Sequence, residues 1–266
     1  MPDLRADGPA RLALVTGASS GLGIEFAKQL AARRINLVLT ARRVEPMQTL
    51  ANELRARHGV DVHIETIDLG APNSAATLKQ RLDARGIDPQ ILINNAAFGI
   101  SQAFIEQSAQ RLASMLQLNV VSLTELTRVF AAQMAARGRG NILLVASMAA
   151  YLPTPLLAPY GASKAYVLSL GEALNVELAG RVGVTVLSPG FMKTGFADAA
   201  GYDPPTAATS TSLSPSAVAA IGLKAMFAGK PSVIAGRSNA IMALATRFLS
   251  RHRLAKSVLQ GAKNPR

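Results

Sequence analysis

The chain has 266 residues, 49% hydrophobic and 17% charged, the balance of a folded protein able to bury a sizeable core within one α/β domain. It contains no cysteine, which excludes disulfides, thiolate catalysis and cysteine-ligated metals, and its scattered His58, His63 and His252 argue against a histidine metal cluster. The net charge of +12 is lopsided, because no acid follows Asp203 while nine Lys or Arg fall between Lys224 and Arg266.

From Leu12 onward, short β-rich apolar runs alternate with longer helical patterns, which predicts a doubly wound parallel sheet of about seven strands with helices on both faces. The first strand, Leu12 to Thr16, runs into Thr16-Gly17-Ala18-Ser19-Ser20-Gly21-Leu22-Gly23 and then a helix from Leu22 to Arg33. Glycines there let the backbone approach a phosphate, and the helix start offers free N–H groups and partial positive charge. The second strand, Asn36 to Ala41, ends on Arg42 and Arg43 before a helix from Val44 to His58. A third strand from Asp61 to Thr66, a helix from Asn73 to Arg85 and a fourth strand from Ile91 to Asn94 follow. One long helix is expected over Gln110 to Arg137, then a fifth strand from Asn141 to Ser147.

The next helix, Tyr160 to Ala179, carries Tyr160 and Lys164 four positions apart and so on one face. An ammonium beside a phenol favours the tyrosinate, so Tyr160 is expected below its usual pKa of about 10 and suited to acid–base work. Ser147, at the end of the fifth strand, lies where α/β sheets build their sites. A sixth strand from Gly183 to Ser188, a helix from Ser216 to Ala228 and a seventh strand from Ser232 to Ala235 complete the alternation. The small, polar, turn-rich run from Gly201 to Ser212 interrupts it, and reads as a mobile loop that lids a pocket or as a surface insertion.

Taken together, Thr16-Gly17-x-x-x-Gly21-x-Gly23, Asn94-Asn95-Ala96, Ser147 and Tyr160-x-x-x-Lys164 resemble the short-chain dehydrogenase/reductase family over nearly the whole chain. The resemblance implies one Rossmann-type domain over residues 1–266, a substrate loop at 191–213, and reversible hydride transfer between a nicotinamide and a carbonyl or alcohol carbon. It implies Tyr160 as the acid, Ser147 as a donor to the substrate oxygen, Lys164 on the nicotinamide ribose, and Asn119 holding a water that links Lys164 to solvent. Implied cofactor contacts are Gly17, Ser19, Ser20, Gly21, Leu22 and Gly23 in the turn, and Asp68 and Leu69 near the adenine. Asn94, Asn95, Ala96 and Ala97 along the fourth strand, Tyr160 and Lys164, and Pro189, Gly190, Met192 and Thr194 near the carboxamide complete that set. Two positions depart from the family's pattern: Ser20 stands where many NADP-preferring relatives carry a base, and Ala97 where a glycine usually ends the fourth-strand motif.

At the end of the second strand Ala41 cannot bind ribose hydroxyls as a carboxylate would, whereas Arg42, with Arg43, offers planar donors for a 2′-phosphate; NADP(H) is expected over NAD(H). Phe98, Met148, Tyr151, Leu152, Pro153, Leu156, Phe191, Met192 and Phe196 are candidates for an apolar pocket wall, which suits a hydrophobic ketone or aldehyde. The leading expectation is a carbonyl reductase working as a homo-oligomer (dimer or tetramer), with no metal and no nucleic-acid partner. Its alternatives are a 3-oxoacyl reductase whose basic segment 237–266 docks an acidic carrier protein, and a catalytically silent cofactor-binding sensor or scaffold. Apolar residues preceding cations over 239–253 suggest either a helix packed on the sheet or a second subunit, or a peripheral membrane helix. No apolar run approaches the roughly 18 residues of a membrane span, and the N-terminus, with Asp3 and Asp7, lacks a signal-peptide pattern, so a cytoplasmic location is expected.

Overall fold

Strands β1 (Leu12–Thr16), β2 (Asn36–Ala41), β3 (Val62–Thr66), β4 (Ile91–Asn94), β5 (Asn141–Val145), β6 (Gly183–Ser188) and β7 (Ser232–Ile234) form a single sheet in the computed structural model, which describes residues 11–203, 209 and 212–263. Their order is β3-β2-β1-β4-β5-β6-β7, and every pairing is parallel. The direction of winding reverses between β1 and β4, so the crevice beyond their C-terminal ends is where a sheet of this kind binds ligands.

Both faces of the sheet are covered, which is why its inner strands read as near-continuous apolar runs, whereas the edge strand β3, Val62-His63-Ile64-Glu65-Thr66, alternates. On one face Ala13 and Val15 pack with α1 (Gly21–Ala31), α2 (Val44–His58) and α8 (Pro215–Phe227), through Phe26, Leu30, Met47, Leu54 and Leu223. On the other, Leu14 and Leu92 meet α3 (Ser74–Ala84), α5 (Leu123–Ala136) and α6 (Ala158–Glu177), through Leu78, Leu82, Phe130 and Val167. The remaining helices are α4 (Ala109–Leu116), the short α7 (Phe196–Ala200), α9 (Arg237–Ala245) and α10 (Arg251–Lys263). Among the described residues no helix is long and apolar enough to cross a membrane.

The structure corrects three expectations about elements. The helix expected over Gln110 to Arg137 is two helices joined by a widened π turn, Gln117–Ser122. Its cause is tertiary: Asn119 is fully buried there and turns its amide to Phe98, donating to the carbonyl (2.9 Å) and accepting from the N–H (3.2 Å). β5 stops at Val145, because Ser147 accepts from the N–H of Ala149 (3.2 Å) and caps a 3-10 turn, Met148–Ala150. The segment 239–253 is not one helix but the end of α9, a 3-10 turn at Thr246–Phe248 and the start of α10. Of the expected substrate loop at 191–213, residues 204–208 and 210–211 lie outside the described residues, while Phe196–Ala200 is helical.

Candidate active site

The turn after β1 is built by backbone constraints. Gly17 and Gly21 take φ of +68° and +53°, in the left-handed region that side chains disfavour. A Cβ on Gly23 would lie 2.2 Å from the carbonyl oxygen of Gly17, so α1 begins in contact with the loop that feeds it. Thr16 fixes the opposite edge: its Oγ1 accepts from the N–H groups of Asn95 and Ala96, both at 2.9 Å, and its carbonyl accepts from Asn95 Nδ2 at 2.9 Å. Ser20, the N-cap of α1, makes no side-chain capping bond. The first N–H groups of the helix are thus left for an anion, which fits a pyrophosphate.

The turn opens into a cavity of about 1180 Å³ that runs from the nucleotide end to the chemistry-bearing residues. Gly17, Ser19, Ser20, Gly21 and Leu22 line it, as do Arg42, Arg43, Asp68, Leu69, Asn95, Ala96 and Ala97, and further along Ser147, Tyr160, Lys164, Pro189, Gly190, Met192 and Thr194. Gly23 and Asn119 are not on its wall. Gly23 acts through the close contact with Gly17. Asn119 donates to Ser163 Oγ (3.2 Å), which donates to the Tyr160 carbonyl (2.7 Å), so that Asn119 ties the loop after β4 to the helix that carries the phenol. Asn94 also departs from expectation: it is buried and donates to Leu123 O and Thr127 Oγ1 of α5, a structural link away from the cavity. The Asp68 carboxylate accepts from the N–H of Gly70 (2.9 Å), holding the turn after β3. Arg42 and Arg43 are exposed, and Arg43 donates at 3.3 Å to the carbonyl and hydroxyl of Ser19.

Tyr160 and Lys164 are both buried in the first turns of α6. Tyr160 packs on Phe196 with ring centroids 5.3 Å apart, and Lys164 Nζ lies 5.8 Å from the Tyr160 ring centroid while donating to the carbonyl of Val145 at 2.8 Å. The expected lowering of the phenol by its lysine is overturned: burial pushes Tyr160 up to about 12, against a smaller lowering by a hydrogen bond from Ser147. The same burial pushes Lys164 down to about 8. Desolvation disfavours both charged forms.

These shifts carry a stability consequence of known sign. Between the folded value of about 8 and the ordinary 10.5, an unfolded chain keeps the Lys164 proton that the folded chain has released, so stability rises with pH across that window. Below it the full burden, about 3 kcal/mol, is present. Tyr160 acts oppositely and only above its ordinary 10.0, where the folded chain retains a proton that the unfolded chain loses. Wild type is therefore expected to gain about 5 °C in melting temperature over Lys164→Met between about pH 7.5 and 9.5, read by calorimetry of the cofactor-free proteins. Parallel curves would mean that Lys164 is not desolvated.

Of the residues expected on an apolar wall, Phe98, Met148, Leu152, Phe191, Met192 and Phe196 line the cavity. Tyr151, Pro153 and Leu156 do not: Tyr151 instead meets Ser188 Oγ at 3.3 Å, and Leu156, at φ +68°, accepts from the N–H of Gln102. Sequence reasoning missed the wall contributed by the C-terminal helices, namely Asn239 and Met242 of α9 and Ser257 and Val258 of α10. A Cβ on Gly190 would fall 2.3 Å from Asn239 Nδ2, so a glycine at this position is what lets α9 close over the crevice. The Gly-Arg-Ser-Asn run after β7 was the available signal, but nothing in the sequence says where that helix lies.

A glycine turn at the reversal of a doubly wound parallel sheet, with a serine, a tyrosine and a lysine further along the same cavity, is a Rossmann-type arrangement. The chain belongs to the short-chain dehydrogenase/reductase family: the family model described as short chain dehydrogenase matches residues 11–204. Among curated proteins it is similar to a very-long-chain 3-oxoacyl-CoA reductase of Podospora anserina, 37% identical over 182 residues that cover 67% of this chain and 54% of that protein. A protein of the same name from Phaeosphaeria nodorum is 36% identical over 172 residues, 62% of this chain and 50% of the other. The chain thus spans about half the length of these relatives. Among solved structures, a short-chain dehydrogenase from Sphingobium yanoikuyae in complex with NADPH has a TM-score of 0.78 and 31% identity, over 90% of this chain and 94% of its own. One from Burkholderia phymatum in complex with NAD has a TM-score of 0.79 and 30% identity, over 97% and 96%.

Proposed function

We propose that the protein reduces a carbonyl on an apolar substrate with NADP(H), using Tyr160 as proton donor. The observation that carries this reading is the convergence of Ser147, Tyr160 and Lys164 on one cavity with the glycine turn. A bound nicotinamide would supply the hydride. The Ser147 hydroxyl then donates to the substrate oxygen as negative charge develops, and the Tyr160 hydroxyl delivers the proton that completes the alcohol. Lys164, anchored on Val145, presents its remaining protons to the ribose side of the cavity and so orients the cofactor. Asn119 keeps Phe98 and α6 in register around the reacting carbonyl.

The mostly apolar wall from Phe98 to Val258 favours an alkyl chain over a sugar or an acid. The name borne by the curated relatives makes a 3-oxoacyl thioester the first substrate to try, ahead of a catalytically silent sensor, which has no use for the intact Ser–Tyr–Lys set. The test is NADPH oxidation across ketones of graded chain length and polarity, with a 3-oxoacyl chain both free and bound to an acidic carrier. Turnover rising with chain length supports the reading, and no turnover with any of them rejects it. A salt-sensitive advantage for the carrier-bound form would add docking on the basic C-terminal face.

For the cofactor, the absence of a carboxylate at Ala41 and the presence of Arg42 and Arg43 on the cavity wall support NADP(H) over NAD(H). Arg42→Ala is expected to weaken NADPH binding about five- to tenfold and NADH binding by less than about twofold, since only the former loses a charge-assisted bond. Titration of both cofactors by fluorescence reads this; equal losses would put the 2′-phosphate elsewhere.

A further inference from the structure

Beyond Asp203 the sequence holds cations and no acid, and those cations surround a bare apolar ridge. On α9 and the 3-10 turn that follows it, Ile241, Leu244, Phe248 and Leu249 are 69%, 56%, 83% and 54% exposed. Residues 241, 244 and 248 share one helical face. Arg237, Arg247, Arg251, Arg253 and Lys256 flank them, all exposed, and among the described residues none of the five makes an ion pair. Exposed large apolar side chains concentrated on one short segment mark an interaction surface, not ordinary solvent-facing polarity.

The ridge is also continuous with the cavity. Met242 is half exposed beside Ile241 and lines the cavity wall, together with Ser257 and Val258 of α10. We propose that this face docks on an anionic lipid surface, with the ridge at the boundary between headgroups and acyl chains, the cations on the headgroups, and the α9–α10 wall of the cavity held against the bilayer. Charge selects this occupant. A two-fold contact with a second copy would set five cations against five, with no carboxylate on either segment to relieve them. An acidic protein could match the charge, but it would need recesses for Ile241 and Phe248, whereas a headgroup layer yields to whatever protrudes. The contact proposed is a peripheral one. Docking does not depend on the reaction proposed above, although it would bring an apolar substrate from the bilayer to the cavity.

Co-sedimentation of the full chain with phosphatidylcholine vesicles, with and without about 30% phosphatidylserine, at about 100 and 400 mM salt, tests this. The protein is expected to bind the anionic vesicles at low salt and to bind at least about tenfold less without phosphatidylserine or at high salt. The double substitution Ile241→Ser/Phe248→Ser should cut binding at least about tenfold, with melting temperature and nucleotide affinity unchanged, since both side chains stand in solvent. Arg251→Gln/Arg253→Gln should weaken it several-fold without touching the ridge. Failure to bind anionic vesicles overturns the proposal. So does binding that the Ile241/Phe248 double leaves intact, or a dimer that the same double dissolves while vesicles are ignored.

Discussion

Tyr160→Phe is expected to lower turnover by about a thousandfold while leaving NADPH affinity within about twofold of wild type. The substitution removes one oxygen and retains the ring, so the packing on Phe196 at 5.3 Å survives and α6 has no reason to move. What is lost is the hydroxyl that shares the cavity and a hydrogen bond with Ser147, and with it, in the proposed mechanism, the proton that neutralises the developing alkoxide. The raised phenol, at about 12 in the cofactor-free chain, means that this proton is firmly held at neutral pH and available for donation. Single-turnover NADPH oxidation separates the chemical step from binding and release. Turnover within tenfold of wild type would move the acid role to another group, whereas loss of NADPH binding together with turnover would make Tyr160 a binding residue first.

Such a variant can be specified so narrowly because the chemistry-bearing residues were legible as motifs. A short apolar run, a glycine turn and a helical pattern are all local, and their order along the chain dictates the sheet. The strands from Leu12–Thr16 to Ser232–Ile234 fall within about two residues of where apolar runs alone put them. Illegibility begins where a residue's state depends on a distant partner. Asn119 widens its helix only because Phe98, 21 positions earlier, offers a backbone donor and acceptor pair. Tyr160 is raised and not lowered because burial, which no spacing encodes, outweighs the lowering by Ser147. Met242 and Val258 face the cavity through the docking of two C-terminal helices, and in sequence they look like any other core residue. Asn94 and Asn95 are adjacent and chemically identical, yet one bonds α5 and the other the glycine turn, because successive strand residues point to opposite faces.

Gly23→Ala is expected to be the most damaging single-methyl change in the nucleotide half. The added carbon would sit 2.2 Å from the Gly17 carbonyl oxygen and 2.8 Å from its carbon, with Asn95 Nδ2 at 3.0 Å, so relief requires backbone to move. The turn has little freedom to do so. Gly17 donates to Thr40 O of β2 at 2.9 Å, and the neighbouring Thr16 carbonyl accepts from Asn95 beyond β4, so a shift strains links to both flanking strands. Overpacking against backbone of this kind costs about 3 kcal/mol, which for a chain of this size corresponds to about 6–12 °C in melting temperature. Because the displaced helix start is also the proposed pyrophosphate site, nucleotide affinity is expected to fall at least about tenfold alongside stability. Gly261→Ala is the matched control: a Cβ there meets nothing within 4 Å, and inside α10 the exchange should be neutral or slightly stabilising. Calorimetry with NADPH titration on both variants gives the comparison. A Gly23→Ala protein melting within about 2 °C of wild type and binding nucleotide normally would show that α1 can retreat from the turn, and that contact between Gly17 and Gly23 does not hold the phosphate end of the cavity in shape.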